Sequence, residues 1–500
     1  MPKKNKLKGV INMKKFLSLM FILCLSFLLV SCKKFESGNM SRDDYSYSDP
    51  NENADEHQSI VENPFIKTAV NNKSNLSLSA NTAAYSFIRS QINAGISVNS
   101  DAVRIEEMVN FFTYDYNQPN TDDVFGFKAE LMQTPWNLET NLLLVGLETE
   151  IVDLGDVPTN LVILLDVSGS MSSSNKLPLV KASIKLLLEQ MNERDIVSLV
   201  TYSSGEKVVF KGRTIKDLKR IINDIDNLKA SGSTAGKKGL QMAYEVAEEY
   251  YINNGNNRIV LATDGDFNVG ISSTDQLVEY ISEKRETGIY FSAFGFGYGN
   301  YKDEKLERIA MAGNGVYHYI DDILSARKAF VDNIDGLLYT VARDAKAQIT
   351  FNNNTVLEYR LIGYENRQLS DEQFEDKTTD AGEIGTGLQV TAIYELKLVE
   401  NVENDIASLF IKYKSHDTSK EEEYEDSFII SHEINDEPSI DANFISGIIE
   451  FGLILLDSEY KVDANLDYVI ERLESEELNL HDYYRKDFIE LLKKYKLVIR

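Results

Sequence analysis

Two short stretches place oxygen donors where a chain could hold a metal ion: Asp166, Ser168 and Ser170 in DVSGSM, and Asp264 in ATDGD. Between them the loop KASGSTAGKKG offers Thr234 just ahead of an expected helix. Each aspartate follows a short apolar run that reads as a strand, 161–165 and 258–263, so each carboxylate stands where a strand ends and a turn begins. In an open parallel sheet, ligands collect in the crevice beyond the carboxyl ends of the strands, because loops converge there. Asp166, Asp264 and the Thr234 loop are therefore expected to meet at one point. Carboxylate, hydroxyl and water oxygens suit the hard ion Mg²⁺, with Mn²⁺ or Ca²⁺ as alternatives, and need neither histidine nor cysteine. Taken singly, DxSxS is also a capped turn and TDG a common loop; the combination, in this order on strand ends, is what points to a metal.

The elements that must position these residues follow from hydrophobic periodicity. From residue 160, apolar strands at 161–165, 196–201, 208–210, 258–263, 289–295 and 316–320 alternate with longer amphipathic helices, the signature of an α/β domain with a mainly parallel, Rossmann-like sheet. A helix over 176–191 aligns Val180, Ile184, Leu187, Leu188 and Met191 on one stripe and tolerates Pro178 in its first turn. Ahead of this domain, 81–95 and 100–112 read as two helices, and 125–151 as paired strands broken near Pro135. Behind it come strands (AQITF, VLEYRLIGY, LQVTAIYELKL, ASLFIKYK, DSFIISHE), then helices after 437. The strands over 125–152 are expected to pair with those over 345–432 in a β-sandwich into which the α/β domain is inserted.

DVSGSM, GST and TDGD, in that order, resemble a von Willebrand factor type A (vWA) domain with an intact metal-ion-dependent adhesion site, all five ligand positions being filled. The resemblance implies that Ser168 and Ser170 coordinate directly and that Asp166 and Asp264 act mainly through bridging waters. Thr234 would bind directly or through water according to conformation, and the sixth position would fall to a partner. NTAAYSFIR (81–89) and DAVRIEEMVNFF (101–112) resemble the amino-terminal segment of bacterial vWA lipoproteins, while RLIGYENR (360–367) and DAGEIGTG (380–387) resemble their carboxyl-terminal domain. Ser79 and Asn81 depart from that pattern, which often has acids at both positions.

The chain divides into a signal peptide (1–31), a polar tether (32–62), an amino-terminal helical and β segment (63–156), the vWA domain (157–343), a β-rich domain (344–437) and a helical end (438–500). Its apolar run 16–30 is shorter than the roughly 20 residues a membrane span needs. It ends in Leu29, Val30, Ser31 and Cys32, which resembles a lipobox, so Cys32 is expected to carry lipid. With only Cys24 and Cys32 in the chain, no disulfide is expected. The first 31 residues hold six lysines and no acid, so the rest carries 46 basic against 79 acidic residues. Such a charge opposes nucleic acid.

The expectation is an exported protein of the cell envelope, lipid-anchored to the outer or the cytoplasmic membrane. Its metal would grip a partner protein through that partner's exposed Asp or Glu. The rival is an assembly component in which the metal only staples the vWA loops. An enzyme is not expected: the histidines at 57, 318, 416, 432 and 481 are scattered, and no nucleophile–base pair can be assembled. GSTAGKK lacks Walker A spacing, and GFGYGN has asparagine where a dinucleotide fingerprint would end in glycine. Glu421 to Glu423 with Glu425 and Asp426 read as a solvated acidic loop.

Overall fold

Strands Thr159–Asp166 and Asn256–Thr263 are buried along their whole length, as befits parallel strands covered on both faces. They lie side by side in the middle of a six-stranded sheet, ordered Tyr317–Ile320, Tyr290–Phe296, Asn256–Thr263, Thr159–Asp166, Ile196–Tyr202 and Glu206–Thr214. The first five run parallel. The sixth turns back antiparallel and is longer than the 208–210 legible in the sequence. The computed structural model describes residues 59–120, 123–153, 157–233, 237–265, 267, 273–297, 303–415, 422–434, 437–476 and 482–498.

Alternate side chains of one strand serve opposite faces. Leu161, Ile163 and Leu165 pack with Val180, Ile184 and Leu187 of helix Leu177–Gln190. Val162 and Leu164 face the other way, toward helices Lys237–Glu249, Thr274–Arg285 and Asp303–Ala312. The strand ends that carry the motifs are thus fixed by two independent cores.

The remaining strands make two antiparallel sheets. Phe125–Gln133 and Asn141–Thr149 form a hairpin, and Asn141–Thr149 pairs along its length with Gln389–Leu398, from Asn141 opposite Leu396 to Glu148 opposite Gln389. Because strands from before and after the α/β domain share one sheet, that domain is an insertion. Val356–Ile362 and the short Ile66–Lys67 complete the sheet. The second sheet holds Gly382–Gly385, Thr340–Phe351, Ala407–Ser415 and Glu423–Ile430, with Lys73–Ser77 also paired to Thr340–Phe351. Leu143, Val145 and Tyr394 from the first sheet meet Ile349, Phe351 and Ile411 from the second in a common core.

One expectation is corrected here. Glu423, Glu425 and Asp426 stand on the strand Glu423–Ile430 and not in a loop. Lysines from other strands of the same sheet make this workable: Lys346 lies 3.4 Å from Glu423 and Lys412 lies 3.6 Å from Glu425.

Helix Ile440–Leu455 is apolar nearly all round because it is covered nearly all round. It shares a core with Leu142, Leu144 and Ile393 of the hairpin sheet, with Tyr85 and Met108 of the amino-terminal helices, and with Phe488 and Leu492 of helix Tyr483–Val498. Its buried Glu450 is answered by Arg472 at 2.9 Å and by the Asn465 amide at 3.0 Å. No described helix is long and apolar enough to cross a membrane.

Candidate metal centre

The sheet register sets Leu165 beside Ala262 and Asp166 beside Tyr202, so Asp166 and Asp264 leave neighbouring strands at the same end. Asp166, Ser168 and Asp264 are buried, while Ser170 is exposed. The Ser168 amide donates to Asp166 Oδ1 at 2.7 Å, and the Ser168 and Ser170 hydroxyl oxygens lie 3.0 Å apart. DxSxS is therefore a turn wrapped around its own carboxylate. That turn occupies Asp166 Oδ1 and leaves Asp166 Oδ2 buried without a hydrogen-bond partner among the described residues. Asp264 repeats the pattern: Oδ2 accepts from Lys176 Nζ at 2.9 Å, and Oδ1 is buried without a partner among the described residues.

A buried carboxylate oxygen left unpaired is costly, by about 1–3 kcal/mol or more. Two of them beyond adjacent strand ends, beside two hydroxyls, are what an oxygen-seeking cation would repay, and the donor chemistry fits a hard divalent ion. Burial pushes the Asp166 carboxyl up to about 6; the charge of Asp264 adds to this, while hydrogen bonds from Ser168, and a weaker interaction with the buried Tyr202 hydroxyl that falls short of hydrogen-bond geometry, pull the other way. No group of three or more His, Cys, Asp or Glu residues able to hold a metal exists among the described residues, so the serine hydroxyls are needed to complete a donor set.

A third loop is stitched to this turn. Ser231 donates its amide to the Val167 carbonyl at 2.8 Å, Gly169 donates to the Gly232 carbonyl at 2.9 Å, and Ser233 donates to Ser204 Oγ at 2.9 Å. Gly232 has φ +83°, a backbone conformation that favours glycine, and a Cβ there would come within 2.4 Å of Ser204 Oγ. Thr234 itself lies outside the described residues, as does Cys32, but the segment leading to Thr234 reaches the DxSxS turn.

Sequence reasoning missed Lys176. The periodic reading places it merely in the first turn of an amphipathic helix, whereas it stands just ahead of Leu177–Gln190, and its side chain turns inward to Asp264, 88 positions away. Its methylenes run over Gly297, whose φ is +76° and where a Cβ would sit 2.5 Å from Lys176 Cγ and Cε. The Gly297 carbonyl is held by the Tyr319 hydroxyl at 2.9 Å. No local spacing marks so distant a pairing.

Residues 160–333 match the family described as von Willebrand factor type A domain, 51–144 the one described as von Willebrand factor, and 336–498 the one described as Uncharacterized protein YfbK, C-terminal. The chain is 35% identical over 464 residues to Uncharacterized protein YfbK of Escherichia coli (strain K12), covering 87% of this chain and 80% of that one. It is 28% identical over 174 residues to an uncharacterized protein of Synechocystis, covering 35% and 40% of the two chains. Among solved structures, the von Willebrand factor type A protein from Catenulispora acidiphila matches 76% of this chain and 91% of its own at 15% identity and a TM-score of 0.40. Proximal thread matrix protein 1 from the mussel byssus, solved with zinc in its MIDAS motif, matches 34% and 44% at 24% identity and a TM-score of 0.29. With an amino-terminal von Willebrand factor segment, a vWA domain and a YfbK carboxyl-terminal domain in succession, the chain belongs to the YfbK family.

Proposed function

We propose that this protein binds a divalent cation, Mg²⁺ foremost, through Asp166, Ser168, Ser170, Thr234 and Asp264, and uses it to hold an acidic side chain of a protein partner. The observation that carries this reading is the pair of buried, unpartnered oxygens, Asp166 Oδ2 and Asp264 Oδ1, at the ends of adjacent strands. Bound there, the ion would supply positive charge and an open coordination position that an incoming Asp or Glu completes. The chain's own residues do the positioning: the Ser168 amide orients Asp166, and Lys176 orients Asp264. Ser170 is the exposed donor, so a partner approaches from its side. A chain carrying a net charge of -27 repels acidic surfaces in general, which makes the centre a local exception.

The role we assign is binding and not catalysis. Of the two described histidines, His318 is buried within the edge strand Tyr317–Ile320 and His432 follows the sandwich strand Glu423–Ile430, so neither belongs to the loops of the centre. We place the protein in the cell envelope, held to a membrane by lipid on Cys32; loss of labelling by a palmitate analogue in Cys32→Ser tests that placement.

Crosslinked capture from native envelopes, with wild type and Asp166→Ala, each with and without Mg²⁺, tests the central reading. A partner band that needs both Mg²⁺ and Asp166 is expected. An unchanged set of captured proteins in Asp166→Ala and in chelator would sink it, and would leave the metal as a staple for the loops alone.

A further inference from the structure

We propose that Lys176 sets the net charge of this centre and thereby its preference for an anionic partner. The proposal rests on the reading that the centre holds a divalent cation. Lys176 Nζ lies 2.9 Å from Asp264 Oδ2, and the two side chains are 10% and 0% exposed. The contact is built in: Gly297, at φ +76°, leaves the groove in which the lysine stem lies, and the Tyr319 hydroxyl fixes the Gly297 carbonyl.

Two consequences follow. With its Oδ2 taken by the ammonium, Asp264 offers only Oδ1 toward the ion. The charge balance also changes: among the described residues of the centre, two carboxylates alone would neutralise a divalent ion, whereas two carboxylates and one ammonium leave one positive charge. A centre charged in this way favours a carboxylate over a neutral hydroxyl or carbonyl, and holds its metal less tightly than a neutral one would. In a buried setting, where charges are poorly screened, both effects are large. A lysine serving only as a strut would affect folding but neither affinity.

The test is Mn²⁺ titration of the full chain in detergent at fixed ionic strength, for wild type, Lys176→Gln and Lys176→Arg, with acetate as carboxylate probe. Gln keeps a donor for Asp264 without the charge; Arg keeps the charge. Lys176→Gln is expected to bind Mn²⁺ at least about tenfold more tightly and the loaded protein to bind acetate more weakly, with Lys176→Arg within about threefold of wild type. A Lys176→Gln protein whose Mn²⁺ affinity is unchanged or weaker, with its melting temperature in chelator preserved, overturns the proposal. Should Lys176→Gln not fold, Lys176→Met replaces it under the same criteria. Wild type that binds Mn²⁺ no better than Asp166→Ala would overturn the metal reading itself, and this proposal with it, a result distinct from normal binding that ignores Lys176.

Discussion

At the scale of single residues, Gly232 shows how the proposed centre would depend on backbone freedom. Its φ of +83° is strained for any side chain, and an added Cβ would press on Ser204 Oγ, whose hydroxyl also receives the Ser233 amide. Gly232→Ala is expected to cost about 1–3 kcal/mol and to weaken Mn²⁺ binding, since the loop it displaces is the one leading to Thr234. Gly95 provides the comparison: φ is +71° but an added Cβ meets nothing within 4 Å, so Gly95→Ala should cost only about 1 kcal/mol and leave Mn²⁺ binding alone. Urea unfolding and Mn²⁺ titration of both variants decide the matter; equal effects would show that the Ser204 contact is irrelevant. DxSxS and TDG could be read from the sequence because their spacing is local. Gly232 and Lys176 could not, because what makes each matter is a contact with a distant segment.

At the scale of elements, legibility followed burial. LVILL and IVLA lie in strands buried on both faces and therefore read as unbroken apolar runs, whereas Glu206–Thr214 is largely half-exposed and showed only its apolar middle. Lys73–Ser77 (KSNLS) gave no strand signal at all, yet it is buried, because its partner Thr340–Phe351 arrives more than 260 residues later. The edge strand Tyr317–Ile320 is covered by helix Ala83–Ala94, and at that junction His318 Nδ1 lies 3.0 Å from Thr82 Oγ1, with Phe294 against its ring. Burial, helped by the charge of Lys328, pushes His318 down to about 4. Because the unfolded chain protonates this group near 6.5 and the folded chain does not, its contribution to stability is complete above pH 6.5 and is lost as pH falls toward 4, by about 3 kcal/mol. Asp166, raised by burial, works in the opposite sense, so the informative quantity is a difference. Urea midpoints between pH 7 and 4.5 should fall more steeply in wild type than in His318→Gln; parallel profiles would refute the assignment.

At the scale of the whole molecule, the question is what fixes an inserted domain to its host. The paired strands Asn141–Thr149 and Gln389–Leu398 close the host sheet around the insertion, and helix Ala83–Ala94 bridges from the insertion's edge to the carboxyl-terminal helix Tyr483–Val498. Arg89, 1% exposed, stands at the crossing. It donates to Asp321 at 2.8 and 2.7 Å and to Asp322 at 2.7 Å, on the vWA side, and to Asp487 at 3.0 Å on the terminal helix. Nearby, Asn81 donates to Glu307 at 2.9 Å, so amide in place of acid at this position avoids setting two carboxylates together. Removing the guanidinium would strand Asp321, whose side chain is 3% exposed, as an uncompensated buried charge. Arg89→Met is therefore expected to destabilise the protein by about 3–5 kcal/mol. Arg89→Lys should recover only part of that, because one ammonium cannot reproduce a planar fork bonded to three carboxylates. The proposed centre, built on strand ends within the insertion, should keep whatever Mn²⁺ affinity wild type has in both variants, under conditions where they remain folded. Urea unfolding together with Mn²⁺ titration checks both halves: a loss below about 1 kcal/mol would reduce the Arg89 cluster to a surface-like ion pair, and a change in Mn²⁺ affinity would mean that the amino-terminal helix and the metal centre are coupled through the sheet.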